Sequence, residues 1–287
     1  MSRSTNRFPT TLCLTSAIAG SIFAGLVRGD EKPKAPRLEF RILANEVDEP
    51  KALEAAKKVF VLAKKDEKLK KELERLAKEG KPPMPVALAT DKAPGYTWVE
   101  IGPSMLKSLY LDESKVTDDD FNGNWKAAKA ARATAEALTL KDRDSCLLFS
   151  RTCLDTTLSE KERGRKKFDY FLLTRDPQKG KSLTGKHLID AKIGKDEHST
   201  HGCVEIEFGK EGGDLMFELT NANRPDQDGD PVIFKRCLAI IVAGKVFAAP
   251  GLVDPIKSKA VISGRFSREE IESLVKGLRT DIAGTKK

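Results

Sequence analysis

The side chains with the most chemical potential in this chain are few. His198, His201 and Cys203 form an H-x-x-H-x-C cluster beside Asp196 and Glu197, and these are ligand types that zinc accepts. The set is one good ligand short of a closed tetrahedral site and falls in a turn-rich stretch, so it reads as a solvated turn. Asp226, Asp228 and Asp230 alternate as oxygen ligands do around calcium. A twelve-residue EF-hand loop would need Gly at its sixth position and Glu at its twelfth, where this chain has Pro231 and Cys237. That stretch, too, reads as a polar loop. The only histidines are His187, His198 and His201, and there is no nucleophile elbow, no Gly-rich phosphate loop and no Ser or Cys with a partner motif. The expectation is a protein that is not an enzyme, with no catalytic residues, no cofactor and no metal.

The cysteines depend on the compartment. Arg3 and Arg7 precede an apolar stretch, Leu12 to Val27, with small or branched residues in Val27-Arg28-Gly29. Residues 1–29 read as a secretory signal peptide, with an uncleaved N-terminal anchor as the competing reading. The protein is expected to be exported, periplasmic or extracellular, meeting membrane only through that N-terminal segment if it stays uncleaved. Cys13 lies inside the signal, leaving Cys146, Cys153, Cys203 and Cys237. Four cysteines in an oxidising compartment allow three pairings. Cys146 with Cys153 and Cys203 with Cys237 is the preferred one, against buried thiols. Cys203 and Cys237 each stand near the start of a strand, and parallel neighbouring strands would bring them within bonding distance.

Composition narrows the partners. In 287 residues, 39% are hydrophobic, 6% aromatic and 33% charged, which implies small aliphatic cores under heavily solvated surfaces. The formal charge is +8, but removing Arg3, Arg7 and Arg28 from the 51 bases leaves 48 against 43 acids. Signs alternate along the chain, so no nucleic-acid stripe is implied.

The elements follow from periodicity. Residues 30–36 are a charged, Pro-containing linker. Leu38, Phe40 and Ile42 predict a strand. Asp48, Glu49 and Pro50 then open one long helix from Lys51 to Leu76, ended by Gly80 and Pro82. YTWVEI at Tyr96–Ile101 is a strand, followed by a helical patch at Met105–Tyr110. Asp118-Asp119-Asp120 caps a helix bearing Trp125 and Leu138, and strands follow at Cys146–Phe149 and Phe168–Leu173. From Leu183 the order is strand, strand, helix, strand, strand, strand, helix. Cys237–Val242 and Val246–Ala249 form a hairpin across Ala243-Gly244. Ser267 and Glu270 make a capping box before Ile271, Leu274, Val275 and Leu278. The fold class is α+β, a mainly antiparallel sheet with helices on one face. It comprises an N-terminal α+β base-like subdomain at 37–180 and a second subdomain at 181–284.

These later pieces carry a resemblance. LTGKHLIDAKIG, HGCVEIEFG, GGDLMFELTNAN, RCLAIIVAGKVFAAPGL, KAVISGRFS and EEIESLVKGLR, in this order, resemble the head subdomain of the first periplasmic domain of SecD/SecDF, the bacterial protein-export factor. LEFRILAN and the helix after it look like the start of that domain. The resemblance implies a SecD-like head, a periplasmic location and a non-catalytic role binding unfolded or exported polypeptide or Sec translocon components. The alternative is a secreted structural or envelope protein that reuses the fold with no export role. Two departures stand out. SecD looks like a protein with six membrane spans and acidic residues inside them, and this chain has no such spans, so proton-coupled pulling does not carry over. The family hairpin turn usually reads Asp-Gly, where this chain has Ala243-Gly244.

Overall fold

Several strands of this chain are apolar on both faces, and the structure gives each of those faces its own core. The computed structural model describes residues 38–86, 95–108, 146–195, 202–224, 236–263 and 266–285. The expected signal peptide, the Asp118 run and the helix with Trp125 lie outside the described residues. Among those described, the strands are β1 (Leu38–Ile42), β2 (Tyr96–Ile101), β3 (Leu148–Thr152), β4 (Phe168–Arg175), β5 (Leu183–Thr184), β6 (Leu188–Lys195), β7 (Gly202–Phe208), β8 (Leu238–Val242), β9 (Lys245–Ala248) and β10 (Lys259–Ile262). The helices are α1 (Pro50–Ala63), α2 (Glu67–Lys78), α3 (Pro103–Ser108), α4 (Glu160–Arg163), α5 (Lys210–Asn221) and α6 (Arg268–Thr285).

Seven strands form one sheet in the order β3-β4-β2-β9-β8-β1-β5, and three form another, β10-β7-β6. All pairs are antiparallel except β2 with β9, so the fold is α+β and mainly antiparallel. The large sheet takes β1 to β4 from before residue 180 and β5, β8 and β9 from after it, which makes the two halves of the chain share one backbone ladder.

The large sheet also curls until its flanks meet. Beyond the end of β3, the open side of β4 is taken by the residues that follow β1: Leu43 bridges Thr174 and Asn45 bridges Cys146. The Ala44 N–H donates to the Leu173 carbonyl at 2.8 Å and the Leu43 N–H to the Cys237 carbonyl at 2.9 Å. Strands β1, β8, β9, β2 and β4 thus enclose an interior of Leu43, Val99, Ile101, Tyr170, Leu172, Ala239, Ile241 and Val246. Because successive strand side chains point to opposite faces, the alternate residues face outward into two further cores. Phe40, Ile42, Leu238 and Ile240 meet the small sheet, α5 and α6. Trp98, Phe149, Phe171 and Leu173 meet α1 and α2, where Phe60 stacks on Phe149 with centroids 4.6 Å apart.

The expected single helix from Lys51 to Leu76 is broken. Residues 64–66 turn, and the Asp66 carboxylate accepts from the Lys68 and Leu69 amides at 2.9 and 3.2 Å, starting α2 afresh. The expected role of Asp48 and Glu49 as acids of the α1 first turn is also corrected, because α1 has no side-chain cap there. Both carboxylates instead bind arginines distant in sequence, Arg236 before β8 and Arg175 at the end of β4. Asp48 receives Arg236 Nε at 2.6 Å and Nη2 at 3.1 Å. Glu49 pairs with Arg175 Nε and accepts from the Asn45 amide at 2.8 Å. Arg175 Nη1 reaches Asn223 Oδ1 at 2.8 Å. This cluster ties the segment before α1 to the end of β4, the end of α5 and the approach to β8.

Burial pushes the Asp48 carboxyl up, but the bonded Arg236 and Asn45, with the charges of Arg236 and Arg175, outweigh it and hold the group below its ordinary value. A lowered folded-state pKa stabilises the fold above the unfolded-state value, and that gain is lost as pH falls through the folded-state value. Asp48→Asn is therefore expected to cost about 1–3 kcal/mol near neutral pH. The gap from the unsubstituted protein should narrow in urea melts as pH falls below about 4; a gap independent of pH would contradict this. A second prediction concerns the β8–β9 turn, where Ala243 has φ 50° and Gly244 φ 78°. Both residues of this two-residue turn need the left-handed region, which costs Ala energy that Asn tolerates. Ala243→Asn is expected to stabilise the protein by roughly 0.5–1 kcal/mol, read as a higher melting temperature.

Candidate functional site

The small sheet offers an open edge built from the residues upward. Its strand β7 is central, paired with β10 through Lys259–Ile262 and with β6 through Leu188–Lys195. One face is apolar: Ala191, Val204, Ile206 and Phe208 pack with Ile271, Leu274, Val275 and Leu278 of α6. The capping box that starts α6 is formed, with Ser267 N donating to Glu270 Oε2 at 2.8 Å and Glu270 N to Ser267 Oγ at 3.2 Å. The other face is charged, with Lys192 3.2 Å from Glu205 and Lys259 3.4 Å from Glu207.

At its start, β6 is held by a 3-10 turn over Gly185–His187. The buried His187 accepts the Thr184 amide at Nδ1, 3.1 Å away, and burial, with the charge of Lys186, lowers its pKa. It serves as a structural acceptor in this turn. The first turn of α5 lies directly on it: a Cβ at Gly212 would come within 2.5 Å of the His187 Cβ, and one at Gly213 within 2.6 Å of the Lys257 carbonyl oxygen. Only glycines allow that approach.

The outer edge of β6 has no strand beside it among the described residues. A bulge falls between Leu188 and Asp190, and Ile189 and Ile193 are 49% and 51% exposed. Arg279 Nε of α6 donates to the Ala191 carbonyl at 2.8 Å, so that carbonyl faces away from β7. By the alternation of an antiparallel ladder, Ile193 also turns its N–H and C=O outward. Two exposed isoleucines beside outward amide groups can take a further extended segment. Sequence reasoning did not single them out. The available signal was Ile189 and Ile193 flanking the charged Asp190 and Lys192 in a strand otherwise expected to bury its apolar side.

The residues expected to carry chemistry fall elsewhere. His198, His201, Asp226, Asp228 and Asp230 lie outside the described residues. No disulfide joins Cys146, Cys153, Cys203 and Cys237. The expectation of parallel neighbouring strands at Cys203 and Cys237 is overturned, because β7 lies between β6 and β10 while β8 lies between β9 and β1 of the other sheet. Cys146 and Cys153 flank the extended five-residue β3, and seven steps of extended backbone hold them about 20 Å apart, against the roughly 7 Å limit for a bridge. Burial pushes the Cys153 thiol pKa up, with Asp169 adding to the effect, so it is not a ready nucleophile.

The most buried charges are structural. Arg151 and Asp169, each 3% exposed in the side chain, pair at 3.2 Å. Arg151 Nη2 also donates to the Lys81 carbonyl at 2.6 Å. Lys166 spans Asp169 and Glu100 at 2.7 and 2.9 Å, and Lys245 reaches Glu100 at 2.9 Å. The chain of charges runs across β3, β4, β2 and β9.

Comparison with known proteins follows the same geography. Residues 158–282 match the family described as SecDF, P1 head subdomain. The protein translocase subunit SecD of Syntrophobacter fumaroxidans is 29% identical over 98 residues, which are 34% of this chain and 16% of that protein. Among solved structures, SecDF described as a membrane component that enhances protein export is matched over 85% of this chain and 92% of its own, at 14% identity and TM-score 0.31. SecDF of Thermus thermophilus, a translocon-associated membrane protein, is matched over 87% of this chain and 29% of its own, at 17% identity and TM-score 0.28. No helix among the described residues is long and apolar enough to cross a membrane. The small sheet with α5 and most of α6, the β8–β9 hairpin and the open edge of β6 all fall within the matched segment, so that over residues 158–282 this chain resembles the SecDF P1 head subdomain and spans only a small part of the length of the curated SecD it matches.

Proposed function

We propose that this chain is a non-catalytic, exported protein that binds extended polypeptide, as an exported or unfolded chain presents it, along the β6 edge. The observation that carries this reading is the outward backbone at Ala191 and Ile193 beside the half-exposed Ile189 and Ile193. Strand addition uses main-chain hydrogen bonds, which every polypeptide offers, and the two isoleucine side chains add an apolar preference without demanding a sequence. Weak, sequence-tolerant binding is what a partner of many different exported chains requires. The family match supports a location outside the cytoplasmic membrane and association with the Sec translocon. The non-catalytic part of the proposal is supported by the use of the buried charges, which join strands rather than converge on a cleft.

Ile193→Pro removes an amide that the ladder to β7 does not need, as an edge strand tolerates. The variant is expected to melt like the unsubstituted protein and to bind a reduced, carboxymethylated secretory protein roughly tenfold more weakly, equivalent to the loss of about 1.4 kcal/mol. Hydrogen exchange of the complex should show new protection at residues 189–193. Unchanged affinity in the variant, or protection confined to other strands, would overturn the assignment. Crosslinking in cells that captured envelope components but neither clients nor translocon subunits would favour the structural alternative.

A further inference from the structure

The turn between α1 and α2, which pack on a different core from the small sheet, presents a second surface. Helix α1 buries Ala52, Ala56, Phe60 and Ala63, one stripe at helical spacing. Val61 and Leu62 fall on the far side and are 50% and 45% exposed. They sit at the end of the helix, next to the turn at residues 64–66. Lys58 precedes them on the same face, and Lys64, Lys65 and Lys68 follow, all exposed. None of these four lysines has a carboxylate partner among the described residues. The acids nearby are Glu54, Asp66 and Glu67, and the Asp66 carboxylate is engaged by the α2 amides. Phe60, stacked on Phe149 beneath the helix, fixes the tip to the large sheet.

We infer that this tip docks on an anionic lipid bilayer, with Val61 and Leu62 entering the interface and the lysines against acidic headgroups. Two arguments select this occupant. A stable protein interface buries about 800 Å² on each partner around a desolvated centre, far more than two adjacent side chains at a helix end provide. An interfacial membrane contact needs only a few apolar side chains at the right depth and basic residues around them, with no complementary shape opposite. Lysine suits this arrangement, because its long apolar stem lies along the interface while the ammonium stays with the headgroups. The surface is independent of the β6 edge, and either assignment can fail alone.

The test uses the full chain carrying Leu62→Trp, with the emission of the unsubstituted protein subtracted to remove Trp98 and Trp125. With phosphatidylcholine vesicles containing phosphatidylglycerol, the added tryptophan is expected to shift to shorter wavelength and to be quenched by brominated acyl chains. High salt should abolish both effects, as the Debye length falls to about 3 Å at 1 M. Adding Lys64→Glu and Lys65→Glu should weaken the tryptophan-detected binding roughly tenfold or more. No shift with these vesicles, an equal shift with pure phosphatidylcholine, or a shift with polyglutamate and none with vesicles would each overturn the inference. The readout reports the environment of residue 62 alone, so membrane binding through the N-terminal apolar stretch neither mimics nor masks it.

Discussion

The backbone of residues 43–45 is the constraint on which the rest of this structure depends. Its amides leave the ladder with β8 and continue onto β4 and the approach to β3, converting an open sheet into an enclosed one. An open sheet of this composition would leave either the Val99 and Leu172 face or the Trp98 and Phe171 face in water. Closure buries both, and it explains why strands such as YTWVEI and FDYFLLTR are apolar at almost every position. The Asp48, Glu49, Arg175 and Arg236 cluster sits at this seam, and the charges from Arg151 to Lys245 lie across β3, β4, β2 and β9. The polar groups of the fold are concentrated where strands from distant parts of the sequence must be held in register.

Much of the local structure was legible because it is encoded locally. The order of elements after Leu183, the β8–β9 hairpin at Ala243-Gly244, and the Ser267 and Glu270 box all rest on spacings of a few residues. What escaped was long-range or competitive. Asp48 and Glu49 carry the pattern of helix-start acids, yet arginines more than a hundred residues away bind them, because a charged guanidinium is a stronger partner than a first-turn amide. Asp66 lies in a charge run that reads as a solvated helix face, but its own preference for capping amides breaks the helix there. Periodicity could not find that break, since Leu69, Leu73 and Leu76 keep a helical period on its far side.

The candidate site was less legible than the fold. A strand shows its two faces in sequence through alternation, but which strand lies at an edge is a property of the whole sheet, and nothing in Leu188–Lys195 states it. The cysteines failed for the same reason. Cys203 and Cys237 do stand near strand starts, but β7 and β8 belong to different sheets, and no local pattern distinguishes strands that are neighbours in sequence from strands that are neighbours in space. The resemblance to SecD/SecDF heads, carried by several short pieces in order from Leu183 to Arg279, falls inside the segment that the family match covers, residues 158–282.

The Arg279 contact on β6 has a further consequence for how the molecule behaves at high concentration. An exposed edge strand is a template for its own kind, and two copies meeting edge to edge would extend the ladder from one molecule into the next. Here the guanidinium occupies the Ala191 carbonyl in the middle of the strand, and the bulge at its start throws the preceding residues out of step. A rigid β6 from a second molecule brings the same two obstructions to the same ladder, whereas a loose extended chain can bend around one arginine and pair on either side of it. The edge is therefore built to resist the growth of a continuous intermolecular sheet without being sealed to a more pliable strand.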